Sequence, residues 1–422
     1  MDDELSMYLS RAGLTFPGLE TAFDSSEYVF FGVPFDSSSS AFPGSRYGPK
    51  AIREVIQGME LWSEYFGVDL EDMRVYDAGD LAVSHGDAVA TASVLKRAVQ
   101  RIVSLGKMPV MIGGEHTFTP FAALAAGADS LIVLDAHADC RKDYLGNPLS
   151  HACATRIWVD SGGKHTFQIG IRATSREERD YCKEKGIIQF SPFQLQSDSF
   201  MKSLADFVGE SRSLYLSIDM DAFDPSYAPG VGTPEPFGIS PIDALRVFEA
   251  ISGANLVGFD VMELCPLRDP SYSSSALAAK LIMELYASRK ARHATRSRAR
   301  KGGVVYKSSD GFSSRNAGYP RRPVGQLNEN PSTAARAFEL GYEKPRCLPI
   351  LVRQDVAALY ALINWVLRFR HKINQKPLLR LSCNYTGLEQ QYGRGFQDNR
   401  CLRRNRNLGR PSQGAAEDRS TC

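Results

Sequence analysis

No stretch of this chain is apolar enough for long enough to cross a membrane. A spanning helix needs about 20 such residues, and the longest apolar-rich segment, near Val356–Leu367, falls well short. The first residues, MDDELSMYLS, are acidic and lack the apolar centre of a secretory leader. The eight cysteines, at 140, 153, 182, 265, 347, 383, 401 and 422, form no CxxC pair and follow no fixed spacing. They give no ground for a disulfide framework or a zinc knuckle and suit a reducing compartment. No internal repeat is present, which excludes a repeat architecture. These absences predict a soluble, cytoplasmic protein with no membrane partner.

Charge of one sign is also missing overall, since 50 Lys and Arg face 48 Asp and Glu for a net +2. The balance conceals a division. Residues 1–288 carry 23 basic against 39 acidic side chains, and residues 289–422 carry 27 against 9. Such a split marks two segments with different physical roles.

What is present is an alternation. Apolar runs at Tyr28–Val33, Pro109–Ile112, Leu131–Leu134, Phe167–Ile171, Leu214–Ile218 and Leu256–Met262 predict strands. Helix-spaced segments at Asp87–Leu105, Phe118–Ala126, Arg176–Lys185, Pro241–Ile251 and Ser273–Ser288 lie between and after them. Continuous apolar strands separated by helices predict an α/β fold of three layers, α-β-α, around a mostly parallel central sheet.

Several of these strands end in chemistry. Leu131–Leu134 runs into Asp135-Ala-His137-Ala-Asp139, and Leu214–Ile218 into Asp219-Met-Asp221. Alternate residues of extended chain point the same way, so each set can converge. Pro109–Ile112 leads to Gly113-Gly114-Glu115-His116, where glycines permit a tight turn, and Leu256–Met262 leads to Glu263. Ligands bind beyond the carboxyl ends of parallel strands. Taken singly, an Asp-x-Asp is commonly a solvated loop and a lone histidine a core residue. Four gathered aspartates, however, repel strongly unless cations offset them. Six mixed carboxylate and imidazole ligands exceed one tetrahedral zinc and suit two harder ions such as Mn2+. Two ions about 3.5–4 Å apart can activate a water as a nucleophile. Cys140 and Cys153 read as packing residues, and His85 and His165 as surface histidines.

The motifs GGEHT (113–117), DAHADCR (135–141), SHACATR (150–156) and SIDMDAFDPSYAPGVGTPEP (217–236), with VPFDSSSSAFPGSRYGPKAIR (33–53), resemble the ureohydrolase family of arginases and agmatinases. The resemblance spans roughly residues 20–288. It implies an arginase-like fold and two Mn2+ ions per subunit. One ion would be held by His116, Asp135, Asp139 and Asp219, the other by His137, Asp221, Asp135 and Asp219. It further implies that Asp139 bonds the nucleophile, that His151 shuttles a proton and contacts substrate, and that Glu263 pairs with the substrate guanidinium. GTPEP (232–236) and IGIR (169–172) are most like agmatinases, and Arg141–Leu149 lacks a long amino-acid-gripping loop. The implied reaction is hydrolysis of agmatine to putrescine and urea by a homo-oligomer, trimer or hexamer. Phe237 stands where many relatives have glycine and is expected to narrow the pocket.

Alternatives are guanidinobutyrate, arginine or aminopropylagmatine as substrate, a one-zinc deacetylase on a related fold, and nucleic-acid binding through the tail. Residues 1–288 are read as the catalytic domain. Residues 289–422, opening on the basic run RKARHATRSRARK, are read as a mostly disordered extension with one candidate helix at Val352–Lys372. Deleting residues 290–422 is expected to leave turnover unchanged.

Overall fold

Eleven strands and eight α-helices follow from these patterns in a computed structural model that describes residues 1–10 and 21–300. The strands are β1 (Leu9–Ser10), β2 (Tyr28–Val33), β3 (Trp62–Ser63), β4 (Val68–Asp69), β5 (Val75–Leu81), β6 (Met108–Gly113), β7 (Ser130–Leu134), β8 (His165–Ile169), β9 (Ile188–Phe190), β10 (Leu214–Asp219) and β11 (Leu256–Met262). The helices are α1 (Gly48–Ile56), α2 (Ala88–Ser104), α3 (Thr119–Ala125), α4 (Ala154–Asp160), α5 (Arg176–Lys185), α6 (Asp198–Glu210), α7 (Pro241–Ile251) and α8 (Ser273–Arg300). The expectation of a helix at Val352–Lys372 and of disorder in the tail falls outside the described residues.

Nine strands form one sheet in the order β1-β5-β2-β6-β11-β10-β7-β8-β9, and β3 and β4 form a separate hairpin. Every pairing in the large sheet is parallel except β1 with β5. Successive side chains alternate between its faces. In β2, Val29, Phe31 and Val33 enter one apolar core, and Phe30 enters the other. The first core also holds α2 and α3 residues such as Leu95, Val99 and Phe121. The second holds Ile52 of α1, Phe200 of α6, Phe248 of α7 and Ile282 of α8. The sheet is thus covered on both faces, as its near-continuous apolar strands required.

Local chemistry sets the helix boundaries. Asp87 caps α2 by accepting from the Ala90 N–H. Ser175 with Glu178, and Ser240 with Asp243, form reciprocal capping boxes at α5 and α7. Gly186, at φ +67°, closes α5 in the left-handed conformation. Inside the fold, Arg53 of α1 bonds both oxygens of Asp77 and one of Asp80, tying the helix to β5. Helix α8 continues past Ser288 to Arg300, so the basic run begins as helix. There Lys290 pairs with Asp72, which lies between β4 and β5. No helix among the described residues is long and apolar enough to cross a membrane.

Candidate metal centre

The four strands that carry the candidate residues are neighbours. In the order β6-β11-β10-β7 they occupy the centre of the sheet, with parallel carboxyl ends. His116 follows β6, Glu263 follows β11, Asp219 ends β10 with Asp221 in the turn after it, and Asp135, His137 and Asp139 follow β7. Side chains distant in sequence therefore meet along one sheet edge.

Backbone geometry brings each into place. His137 still lies in extended chain, bridged to Ala173. Asp139 does not, because its φ is +51°. The extended pattern thus holds through His137, and a left-handed turn then swings Asp139 inward, while Ala136 and Ala138 are buried. Asp219 accepts from the Asp221 N–H at 2.9 Å, which folds Met220–Ala222 into a single turn. The glycine before Glu115 serves a different end from the expected turn. A side chain on Gly114 would overlap the Phe35 carbonyl, whose oxygen accepts from the Glu115 N–H at 2.9 Å. Glycine is needed there for close approach of two backbones.

The six candidate ligands converge. His116 Nδ1 lies 3.2 Å from Asp135 Oδ2, 3.1 Å from Asp139 Oδ2 and 3.3 Å from Asp219 Oδ2. His137 Nδ1 lies 3.0 Å from Asp221 Oδ2 and 3.7 Å from Asp135 Oδ1. His116, Asp135 and Asp139 form one group able to hold a cation, and Asp135, His137 and Asp221 another. Asp135 belongs to both. His116 Nδ1 and Asp135 Oδ2 are buried without a hydrogen-bond partner. Buried polar atoms are ordinarily paired, so this donor set fits divalent cations.

The protonation states register the crowding. Burial, then repulsion from Asp135, raises the Asp139 carboxyl to about 7. Burial with Asp221 and Asp135 nearby pushes Asp219 well above the carboxylate range. Burial opposes charge on Asp221 also, but His137 outweighs it and holds that carboxyl below its ordinary value. Burial likewise disfavours the imidazolium of His116, yet Asp135, Asp139 and Asp219 raise it well above 6.5.

A cleft of about 320 Å³ opens onto His137 and Asp139, lined also by Ser40, Arg141, Tyr144, His151, Thr233, Glu178 and Glu235. His151 Nε2 is 3.1 Å from Ser40 Oγ, and its Nδ1 is 3.3 Å from Ser150 Oγ. Burial, with His137 and His116 nearby, lowers its pKa to about 4. Glu263, at φ +60°, accepts from the His116 N–H at 2.7 Å. Burial and Glu115 raise its carboxyl well above the usual range. Phe237 does not narrow the cleft. The residue is 72% exposed beside Phe193 and is absent from the lining, although its φ of +64° lies in the left-handed region that favours glycine. His85 and His165 are exposed.

Other residues were not singled out from sequence. Thr233 Oγ1 donates to Asp221 at 2.9 Å, and Ser217 Oγ lies 2.9 Å from His116 Nε2. Asp260 accepts from Ser217 at 2.5 Å and Thr119 at 2.9 Å. Arg172 donates to the carbonyls of Asp221, Ala222, Glu235 and Pro236 and so clamps the GTPEP segment. The location of Thr233 and Arg172 inside quoted motifs was the only signal of them in the sequence.

Fold and cluster define a class: a parallel-sheet α/β protein whose central strands end in a shared histidine–carboxylate cluster. A family model described as the arginase family matches residues 26–287. The agmatinase of Bacillus anthracis is 35% identical over 283 residues, covering 65% of this chain and 96% of its own. The mitochondrial guanidino acid hydrolase of Homo sapiens is 34% identical over 281 residues, covering 63% and 79%. The crystal structure of the agmatine ureohydrolase of Thermoplasma volcanium matches with a TM-score of 0.63 at 37% identity, covering 67% of this chain and 96% of that one. The chain belongs to the arginase family of ureohydrolases, hydrolases of carbon–nitrogen bonds in linear amidines.

Proposed function

We propose that the chain is an agmatinase-type enzyme that hydrolyses agmatine to putrescine and urea in polyamine biosynthesis, with two Mn2+ ions per subunit. The observation that carries this reading is Asp135, shared by two histidine–carboxylate groups, with its Oδ2 and His116 Nδ1 buried without hydrogen-bond partners. His116, Asp135, Asp139 and Asp219 would hold one ion, and His137, Asp221, Asp135 and Asp219 the other. Bound there, two divalent cations offset the carboxylate charge and lower the pKa of water so that it is nucleophilic near neutrality.

The chain's own groups supply orientation and proton traffic. Asp139, which lines the cleft, would accept the nucleophile's proton. His151 is neutral at pH 7 and can donate from one ring nitrogen while accepting at the other, with a serine hydroxyl beside each. It is the group placed to pass a proton toward the leaving amine. Glu263, which lies behind the cleft lining and accepts from the His116 N–H through Oε1, would pair with a guanidinium N–H.

Charge in the cleft favours a substrate with a cationic tail. Arg141 lies 3.7 Å from Glu178 and 5.1 Å from the Tyr144 ring centroid, so its charge is already engaged. Glu235 forms no ion pair among the described residues and can face an ammonium. The second reading is a guanidino acid such as guanidinobutyrate, its carboxylate drawing Arg141 away from Glu178. Urea release from agmatine, guanidinobutyrate, arginine and aminopropylagmatine after Mn2+ loading decides between them. We expect kcat/KM for agmatine at least tenfold above the others; a preference for guanidinobutyrate would replace the substrate assignment. Metal counting should give two ions per chain, whereas one zinc would point to the deacetylase alternative. The reading includes a cytoplasmic homo-oligomer, trimer or hexamer, which light scattering in solution tests.

A further inference from the structure

Cys140 follows Asp139 directly, and Cys182 lies in α5. Their sulfurs are 3.4 Å apart. Both residues are buried, in a small cluster with Ala138, Ile171 and Tyr181 that is separate from the two main cores. Gln189 Nε2 sits 3.4 Å from the Cys182 sulfur and donates to Gln168 Oε1 at 2.7 Å, and Gln168 donates to the Ala138 carbonyl at 2.8 Å. This amide chain fixes both sides of the thiol contact. A disulfide bond is about 2.05 Å long, so closing the pair moves the sulfurs together by about 1.4 Å.

We propose that Cys140 and Cys182 are a redox-sensitive pair whose oxidation by a hydroperoxide forms a disulfide and draws Asp139 out of the cluster. The Cys182 sulfur, as thiolate, attacks one peroxide oxygen, and the O–O bond breaks. Hydroxide leaves from hydrogen peroxide, and a sulfenic acid remains on Cys182. The Cys140 sulfur then attacks the sulfenic sulfur, the S–O bond breaks, and hydroxide leaves with the Cys140 proton as water. Two thiols lose two electrons and one hydrogen peroxide becomes two waters. The hydrogen bond between the sulfurs lowers the Cys182 pKa despite burial, which favours that residue as the attacking group.

The consequence for the site follows from adjacency. Asp139 is held at φ +51° with its carboxylate 3.1 Å from His116 Nδ1. The Cys140 N–H donates to Glu178 Oε1 at 3.2 Å, and Glu178 itself lines the cleft. A shift of the Cys140 sulfur toward α5 therefore acts on a strained residue one bond along the chain. Misplacement by about 1 Å can cost about 100-fold in rate.

The test treats the full chain with hydrogen peroxide, blocks remaining thiols with iodoacetamide and maps tryptic peptides. The expected product links peptide 108–141 to peptide 180–183, and no other linkage forms at the same rate. Metal retention after dialysis and urea release should both fall at least tenfold and return with dithiothreitol. Cys182→Ser and, as a second form in case that one folds poorly, Cys182→Ala should resist the loss at least tenfold longer. The idea fails if the two peptides are never linked at peroxide doses that oxidise the other cysteines. It also fails if they are linked while metal retention is unchanged, or if the variants lose metal as fast as the parent. Peptide linkage and metal retention do not depend on which guanidino compound is the substrate, so failure here is distinct from failure of the agmatine assignment.

Discussion

Ser217→Ala tests whether the cluster depends on a buried relay behind it. The Ser217 hydroxyl bonds Asp260 at 2.5 Å and lies 2.9 Å from His116 Nε2. With the hydroxyl committed to Asp260 as donor, Nε2 must carry a proton, so Nδ1 is the nitrogen that would serve as ligand to a cation. His116 is 1% exposed, so water cannot replace the lost partner. One unpaired buried donor costs about 1–3 kcal/mol. Asp260 keeps its 2.9 Å bond from Thr119. Groups that orient a metal ligand are worth about 10- to 100-fold in metal affinity. Titrating Mn2+ into metal-free parent and variant, with folding checked by circular dichroism, should therefore show a 10- to 100-fold weaker Kd. A folded variant that binds Mn2+ as tightly as the parent refutes the relay.

Four further outcomes are expected. Asp77→Ala removes both Asp77 bonds from Arg53, 1% exposed, leaving it the pair with half-buried Asp80, and should lower unfolding free energy by about 3 kcal/mol in denaturant titrations. Phe237→Gly relieves a left-handed backbone at a surface ring and should stabilise by about 1 kcal/mol, read as a higher Tm with kcat unchanged. Glu235→Gln should raise the KM for agmatine about fivefold, with little change in kcat, and leave the KM for guanidinobutyrate unraised. Chelation should lower Tm more at pH 8 than at pH 5. In the metal-free state the Asp139 carboxyl is raised from 3.8 to about 7, so the folded chain holds a proton that the unfolded chain has released. Stability of that state falls as pH rises between those values, and calorimetry with and without chelator across the range checks it.

Most of the central sheet could be read from hydropathy because β2, β6, β7, β10 and β11 are buried on both faces. β5 could not. Its sequence VYDAGDL carries Asp77 and Asp80, which are tolerated only because Arg53 arrives from a helix 24 residues earlier. β8 was expected two residues too far along the chain, since it begins at His165 and Gly170, at φ +100°, ends it. Helices α1, α4 and α6 went unread, although α6 has its Ser197 cap and an apolar face of Phe200, Leu204 and Phe207. The candidate ligands were legible because alternate spacing at strand ends is a local signal. Ser217, Asp260 and Arg172 were not. Their contacts join residues 43 to 101 positions apart, and nothing in local spacing encodes such a pairing.

The same long-range contacts explain why acidic groups survive at this sheet edge. Backbone N–H groups of His137, Ala136 and Asp221 donate to Asp135, Asp221 and Asp219, so the folded chain spends its donors on keeping these carboxylates in position. Those bonds occupy one oxygen of each acid. They leave Asp135 Oδ2 and Asp219 Oδ2 turned toward His116, and Asp221 Oδ2 toward His137. A fold selected for stability alone would replace such a cluster by apolar side chains, since buried charges rarely repay their desolvation. Burial, orientation and repulsion together are what the proposed cation site requires, and cation binding would return the stability that the crowded cluster forgoes.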